Sequence, residues 1–454
     1  MLAVALTLTL AAAPAAPPGA FPTAPPGGAF PWPVHRRALD NGLGVLLVPF
    51  DSPGYAAYFT FFRVGSRDEV EPGRSGLAHF FEHLAYRGTP AVPAARWEEE
   101  TKGLGLEANA FTDDDVTAFW LAGPASALPR VAELEGDRFR HLAFSEDDFQ
   151  VEARTVLGEL ARTGGSPDYR VEAAARALAF GRHPYRHPVL GADRDVRELA
   201  SGYRAALEFY ARHYRPENAF VLVVGDFDEE AVFEAIRRAY GPWKATAPAP
   251  PPVPPEPPLA GPKEARQAFP AAALPRVWTG WRTPGAGDLE ATAAQLVLWP
   301  YLFGRLSALN RQLVLERGLA QSLGGEFQPH RDPFLFGCAL VLRDAEAEGP
   351  ARAAVDAAVA DLAAGRIDAA LLADVKANVQ SGLLMQTDTA YRSGVWLVYH
   401  TALGGEPGYL DALMAAAARV GPDDLAAFAR RTLVPANRVT AILAPASPGR
   451  GGAR

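Results

Sequence analysis

Apolar residues recur along this chain in two rhythms. The stretches GLGVLLVPF (42–50) and YAAYFTFFRVG (55–65) are nearly continuous runs of aliphatic and aromatic residues. They are too short for packed helices and predict buried strands. AFVLVVGDF (219–227), RVWTGWRT (276–283), PFLFGCALVL (333–342) and RVTAIL (438–443) read the same way. The second rhythm is helical. In GLAHFFEHLAYRGT (76–89), Leu77, Phe80, Phe81 and Leu84 follow i, i+3, i+4, i+7 and form one apolar stripe. Ser75 is the expected N-cap, and Gly88 and Pro90 mark the end near Arg87. In FSEDDFQVEARTVLGELARTGG, Phe149, Val156 and Leu160 form a second stripe behind a capping box of Ser145 and Asp148.

These elements fall into two similar sets. Each opens on strands, continues through long helices, and closes with a helix, a proline, an asparagine and an apolar strand. FYARHYRPENAFVLVVGDF (209–227) and FARRTLVPANRVTAILAPA (428–446) share that ending, which implies an internal duplication with a period near two hundred residues. Between the sets lies TAPAPPPVPPEPPLAGP (246–262), in which nine of seventeen residues are proline, an extended connector that would permit hinge motion. Strands and helices do not alternate regularly, so the fold class is α+β, two homologous mixed α/β halves on a proline-rich linker. The expected divisions are a leader at 1–34, a first half at 35–245, the linker at 246–262, a second half at 263–448 and a tail at 449–454.

Composition changes little in this picture. The net charge of −8 comes without any block of lysine or arginine, so no nucleic-acid partner is expected. The apolar run from Leu2 to Ala13 is too short to span a bilayer. Followed by small residues and a Pro/Gly-rich tail, it reads as a secretory signal peptide, which places the chain in the periplasm or outside the cell, with no integral membrane segment once mature. Without cleavage the chain would be cytoplasmic. The one cysteine, Cys338, has no intrachain partner and sits in a strand-like run, so it reads as a core thiol.

The chemistry concentrates on the first helix. His79, Glu82 and His83 lie opposite its apolar stripe, and histidines at i and i+4 are one turn apart, so both imidazoles can reach one ion. A third donor must come from elsewhere. Glu152 and Glu159, two turns apart at the edge of the second helix's stripe, offer Glu159 as ligand and Glu152 as the group orienting a histidine. An ordinary solvated helix face remains open at this point, because the motif is short.

Longer stretches carry a resemblance. VGSRDEVEPGRSGLAHFFEHLAYRGT, with its H-x-x-E-H, resembles the metal-site segment of the pitrilysin family of inverzincin zinc metallopeptidases. LDNGLGVLLVPF, LEANAFTDDDVTAFWL, PRVAELEGDRFRHLAFSEDDFQVEARTVLGEL and GRHPYRHPVLG resemble family segments that flank it. The resemblance covers most of the first half and implies half, or the whole, of a clamshell. It implies one Zn²⁺ per chain held by His79, His83 and Glu159, with Glu82 as general base and Glu152 beside a ligand. It also implies substrate pairing along an edge strand at Asn109 and Ala110. His183, Tyr185 and His187 take packing or hydrogen-bonding roles in it, while His35, His141, His213, His330 and His400 lie outside it. The implied activity is endopeptidic cleavage of unstructured peptides or small polypeptides.

The resemblance breaks in LNRQLVLERGLAQSLGGEF (309–327). Family members with a self-sufficient site carry an arginine and a tyrosine there, six or seven residues apart. Here those positions hold Leu315 (or Val314) and Gln321, while Arg311 and Arg317 fall out of step. The expectation is therefore the metal-carrying subunit of a two-subunit peptidase. A paralogous partner would supply the Arg/Tyr pair, or a homodimer would form. The competing class is a peptide-binding or scaffold subunit that does not cleave and keeps a structural metal.

Overall fold

The strand-forming runs assemble into two sheets. A computed structural model describes residues 29–245, 247–269, 273–325 and 327–445. Most of the expected leader, Thr246 of the linker and the C-terminal tail lie outside the described residues. The first half contains β1 (His35–Ala38), β2 (Gly44–Pro49), β3 (Tyr55–Phe62), α1 (Leu77–Leu84), α2 (Ala94–Gly103), β4 (Glu107–Thr112) and β5 (Thr117–Pro124). It continues through α3 (Leu128–His141), α4 (Glu146–Thr163), α5 (Pro167–Ala179), α6 (Asp193–Glu198), α7 (Tyr203–His213), β6 (Ala219–Gly225) and α8 (Glu229–Tyr240).

The second half begins with β7 (Lys263–Phe269), β8 (Arg276–Thr283), α9 (Leu289–Phe303) and α10 (Ala308–Asn310), which runs into a π-helical turn at Arg311–Glu316. After β9 (Ala320–Gly324) and β10 (Phe334–Leu342) come α11 (Glu348–Ala363), α12 (Ala369–Gln386), α13 (Ala390–Gly404), α14 (Tyr409–Arg419), α15 (Pro422–Thr432) and β11 (Arg438–Pro445).

The sheet orders are β1-β2-β6-β3-β5-β4 and β7-β11-β8-β10-β9. Apart from β1 they share one topology: β2–β6 and β7–β11 are parallel and the remaining pairs antiparallel. The registers also match. Phe62 lies opposite Ala219 and Thr117, while Trp281 lies opposite Arg438 and Phe336, so 62, 219 and 117 map onto 281, 438 and 336, a constant offset of 219 residues. The duplication expected from the repeated strand endings is thus visible in hydrogen-bond register.

Each sheet is covered by helices from both halves. One face of the first sheet packs on its own α1, α3, α4, α7 and α8 through Phe80, Phe81, Val131, Phe149, Phe209 and Ile236. Its other face, with Leu46, Phe59 and Leu222, packs on Ala390, Leu397, Val398 and Ala402 of α13 from the second half. The exchange is reciprocal: Val171, Ala175 and Ala179 of α5 pack on Val439, Ala441 and Leu443 of β11. The connector is docked as well. Glu256 accepts the backbone amides of Gly181, Arg182 and His183 at 2.9, 2.7 and 2.9 Å, an amide nest that binds the one acid of the proline-rich segment. The connector is therefore not the only tie between the halves, because each half supplies part of the other's core.

Candidate metal centre

The first helix begins one residue later than its sequence suggests, and its cap is not Ser75. Gly76 is the N-cap with φ of 93°, and a Cβ there would meet the Leu190 carbonyl oxygen at 2.7 Å, so glycine is required. Ser75 donates to Asp195 at 2.6 Å and accepts from the Ala192 amide at 2.9 Å. The free amides at the helix start, from Gly76 and Ala78, go to the buried carboxylate of Glu69 at 2.6 and 2.7 Å. Leu77, Phe80, Phe81 and Leu84 are all buried, as the stripe requires. On α4 the Ser145–Asp148 capping box forms, and Phe149, Val156 and Leu160 are buried.

Burying these two stripes turns the polar sides of α1 and α4 toward each other. His79, His83 and Glu159 each place a donor atom within 4.8 Å of the others. His79 Nε2 and His83 Nε2 both lie 3.6 Å from Glu159 Oε2. That spacing is too long for a hydrogen bond. It is close to the ~3.3 Å separating donors that sit about 2.0–2.1 Å from a tetrahedral ion, so two imidazoles and a carboxylate fit a zinc-like ion by donor type and spacing. Among the described residues this is the one His/Cys/Asp/Glu cluster with such geometry.

The environment separates the two histidines. Burial, with His83 alongside, lowers the pKa of His79 to about 4, so its imidazole is neutral and ready to donate a lone pair. His79 Nδ1 is buried without a hydrogen-bond partner. His83 is shifted upward, chiefly by its hydrogen bond to Glu152, whose Oε2 lies 3.3 Å from Nδ1. The same bond, helped by Arg87, lowers the Glu152 carboxyl. Arg87 forms a close ion pair with the other oxygen, Oε1.

Glu82 lies between the two histidines in sequence. Burial raises its carboxyl above the ordinary value, and a hydrogen bond from Thr112 Oγ1 at 2.6 Å pulls the other way. Thr112 ends β4, one of the two edge strands of the first sheet. Asn109 and Ala110 lie on the same strand, and the Ala110 amide donates to Asn109 Oδ1 at 2.8 Å rather than to β5. That amide therefore points to the open edge.

The other sequence-predicted positions fall elsewhere. Leu315, 74% exposed, lies in the π-helical turn, and the exposed Gln321 lies on β9, the outermost strand of the second sheet. His183 pairs with Asp332 at 2.9 Å and Tyr185 donates to Asp115 at 2.7 Å. Cys338 is fully buried in β10 and burial raises its thiol pKa. Two residues were missed in sequence. Arg87 follows His83 by four positions and so continues the i, i+4 ladder, a legible signal. Thr112 left none, since its role depends on β4 lying beside α1.

A duplicated α+β fold with an inverted H-x-x-E-H helix, a second acidic helix and an open edge strand defines a metallopeptidase-like class. Residues 56–193 match the model described as insulinase, peptidase family M16, and residues 203–379 match the M16 peptidase inactive domain. The chain belongs to this pitrilysin–insulinase family, peptidase family M16. The zinc protease PqqE of Helicobacter pylori is 31% identical over 211 residues, 46% of this chain and 47% of that protein, so the match spans about half the length of the curated relative. Among solved structures, a protease from Helicobacter pylori superposes with a TM-score of 0.85 at 25% identity, covering 91% of this chain and 99% of that one. The periplasmic protease PqqL of Escherichia coli shares the fold with a TM-score of 0.74 at 19% identity, covering 95% of this chain and 50% of that one.

Proposed function

We propose that this chain is the metal-carrying unit of a zinc-dependent endopeptidase that hydrolyses unstructured peptides or small polypeptides. The observation that carries this reading is the meeting of His79, His83 and Glu159 donor atoms within 4.8 Å, beside the half-buried Glu82. Zinc held by these three residues would polarise a scissile carbonyl and acidify an attacking water. Glu82 serves as general base toward that water and passes the proton to the leaving amine. Its burial, by raising its affinity for the proton, suits a group that must both take and give one near neutral pH. Thr112 holds the Glu82 carboxylate in one orientation, and Glu152 fixes the ring of His83 from its outer nitrogen. Asn109 and Ala110 offer a backbone edge to an extended peptide. The Ala110 amide becomes free for a substrate carbonyl once the Asn109 carboxamide turns aside.

The reading includes a second polypeptide. Neither Leu315 nor Gln321 can supply a cation and a phenol to a tetrahedral oxyanion, and a missing donor of that kind costs about 10²–10³ in rate. A paralogue with the Arg/Tyr pair, or a second copy of this chain, would face the metal side. That PqqL is twice the length matched by this chain supports such pairing of units. The apolar N-terminal run and the periplasmic setting of PqqL support a periplasmic or secreted location, and no described helix is long and apolar enough to cross a membrane.

The second reading, a non-cleaving peptide-binding or scaffold subunit with a structural metal, is favoured by the altered clamp positions and by the inactive-domain match of residues 203–379. Zinc content and cleavage of an unstructured peptide, with the chain alone and with its candidate partner, separate the two. Glu82→Gln should keep zinc and abolish cleavage. Cleavage unchanged by Glu82→Gln with zinc still bound refutes the peptidase reading, and a lone chain as active as the pair refutes the division of labour.

A further inference from the structure

The polar faces of α1 and α4 carry one rung more than a three-donor site needs. His79, His83 and Arg87 recur every four residues along α1 and the 3₁₀ turn Ala85–Arg87 that extends it. α4 answers in the opposite direction. Glu159 faces both histidines at 3.6 Å, while Glu152, two turns earlier, reaches His83 Nδ1 at 3.3 Å with Oε2 and the Arg87 guanidinium with Oε1.

We propose that Arg87 is a positioning residue for the metal site: by holding Glu152 Oε1 it keeps that carboxylate on the outer nitrogen of His83, out of coordination, and leaves Glu159 as the only carboxylate ligand. The proposal rests on the reading of His79, His83 and Glu159 as a metal site. Its physical basis is that α4 presents two chemically identical carboxylates to one helix. Without a partner on Oε1, Glu152 is a mostly buried anion near a divalent cation and turns toward it. It would then occupy the position that a catalytic site keeps open. A guanidinium prevents this better than an ammonium, because its planar fork fixes the orientation of a carboxylate as well as its charge.

Arg87 is itself held in place. Gly88 follows it at φ of 87°, where a Cβ would meet the Ala94 amide nitrogen at 2.6 Å, so the turn closes there and Arg87 stays on the histidine face.

The experiment uses the full chain stripped of metal, as wild type and as Arg87→Leu, Arg87→Lys, Glu152→Gln and the Arg87→Leu/Glu152→Gln double variant. Zinc affinity is read by chelator competition, coordination by the visible spectrum of the cobalt-loaded protein, and folding by the thermal midpoint of the metal-free protein. Arg87→Leu should tighten zinc binding about 10–100-fold, because an anionic fourth protein ligand enters and a neighbouring positive charge is lost, and should shift the cobalt bands as carboxylate takes the place of water. The metal-free midpoint should fall by only ~1–2 °C, because Glu152 loses one charged partner and keeps its hydrogen bond to His83. Arg87→Lys should show only part of the change seen in Arg87→Leu. In the Glu152→Gln background, Arg87→Leu should change neither affinity nor spectrum. Equal or weaker zinc affinity in Arg87→Leu than in wild type, or additive changes in the double variant, overturns the proposal and leaves the metal site standing. A wild-type chain that binds neither zinc nor cobalt removes both readings together.

Discussion

Leu397 belongs to the second half by sequence and to the first half by packing. It lies on α13, is 1% exposed, and shares its core cluster with Leu46, Phe59 and Leu222 of the first sheet. Leu397→Ala deletes three carbons at about 0.8 kcal/mol each by transfer, and the residual cavity brings the expected loss to about 3 kcal/mol. What that loss does to melting depends on whether the halves unfold together. Unfolding entropy is about 2.1 cal/mol/K per residue, so about 0.9 kcal/mol/K for a cooperative unit of ~400 residues and about half that for ~200. If the exchanged helices couple the halves, calorimetry of Leu397→Ala shows one transition lowered by about 3–4 °C. If each half melts alone, one transition falls by about 7 °C and the other stays in place. Val171→Ala on α5, which packs on β11 from the other direction, should lower the same single transition. Two transitions, with only one moved by each variant, would refute the coupling.

Thr112→Val removes the hydroxyl that donates to Glu82 at 2.6 Å; steady-state kinetics should show kcat reduced by about 10–100-fold, the range of a lost hydrogen bond to a charged group, with zinc content unchanged. His330 is buried at 3.1 Å from Asp114, and although burial opposes its charge, the bond to Asp114 and the charges of Asp114, Asp115 and Asp113 raise its pKa. A raised folded pKa means that its stabilisation is complete below the unfolded value near 6.5 and is lost as pH rises through the folded one. Urea midpoints should therefore decline above about pH 6.5 in wild type, and this part of the decline should be absent in His330→Gln. Glu256→Ala leaves three consecutive amides without their acceptor, so limited proteolysis should cut the proline-rich connector faster than in wild type, while an unchanged rate would show that its docking does not depend on the carboxylate.

Local periodicity made α1, α4 and the apolar strands legible, because each buries one stripe and turns its remaining side chains elsewhere. That is why His79, Glu82, His83, Glu152 and Glu159 could be named before any coordinates and the structure brings them to one place. The cap of α1 was not legible. Glu69 replaces Ser75 there only because the chain before the helix folds back under its first turn. The helix exchange left no trace either: α13 and α5 bury residues against strands hundreds of positions away, and periodicity reports that a face is buried, not against what. Arg87 was legible in principle as the next rung after His83, but a lone arginine at a helix end usually reads as a dipole partner.

The run Asp113-Asp114-Asp115 shows what the second half contributes to the site without holding a metal. It forms the turn between β4 and β5, so its position sets that of the open edge strand and of Thr112. Asp114 accepts from Ser66 at 2.6 Å and pairs with Arg176 at 2.9 Å from the first half, and with His330 at 3.1 Å from the second. Asp115 accepts from Tyr185 at 2.7 Å and from the Arg331 amide at 3.1 Å, and Gln328 bonds Asp113. Asp332 completes the contact from the other side, pairing with Arg67 at 2.6 Å and His183 at 2.9 Å. Carboxylates this deeply buried would be costly without such partners, and the turn draws them from both halves, including the second-half loop from 327 to 332. The second half, with Leu315 and Gln321 at the positions compared with the clamp, thus packs against the first half's sheet edge. Its loop bonds the turn that leads out of β4, the strand on which Thr112 reaches Glu82.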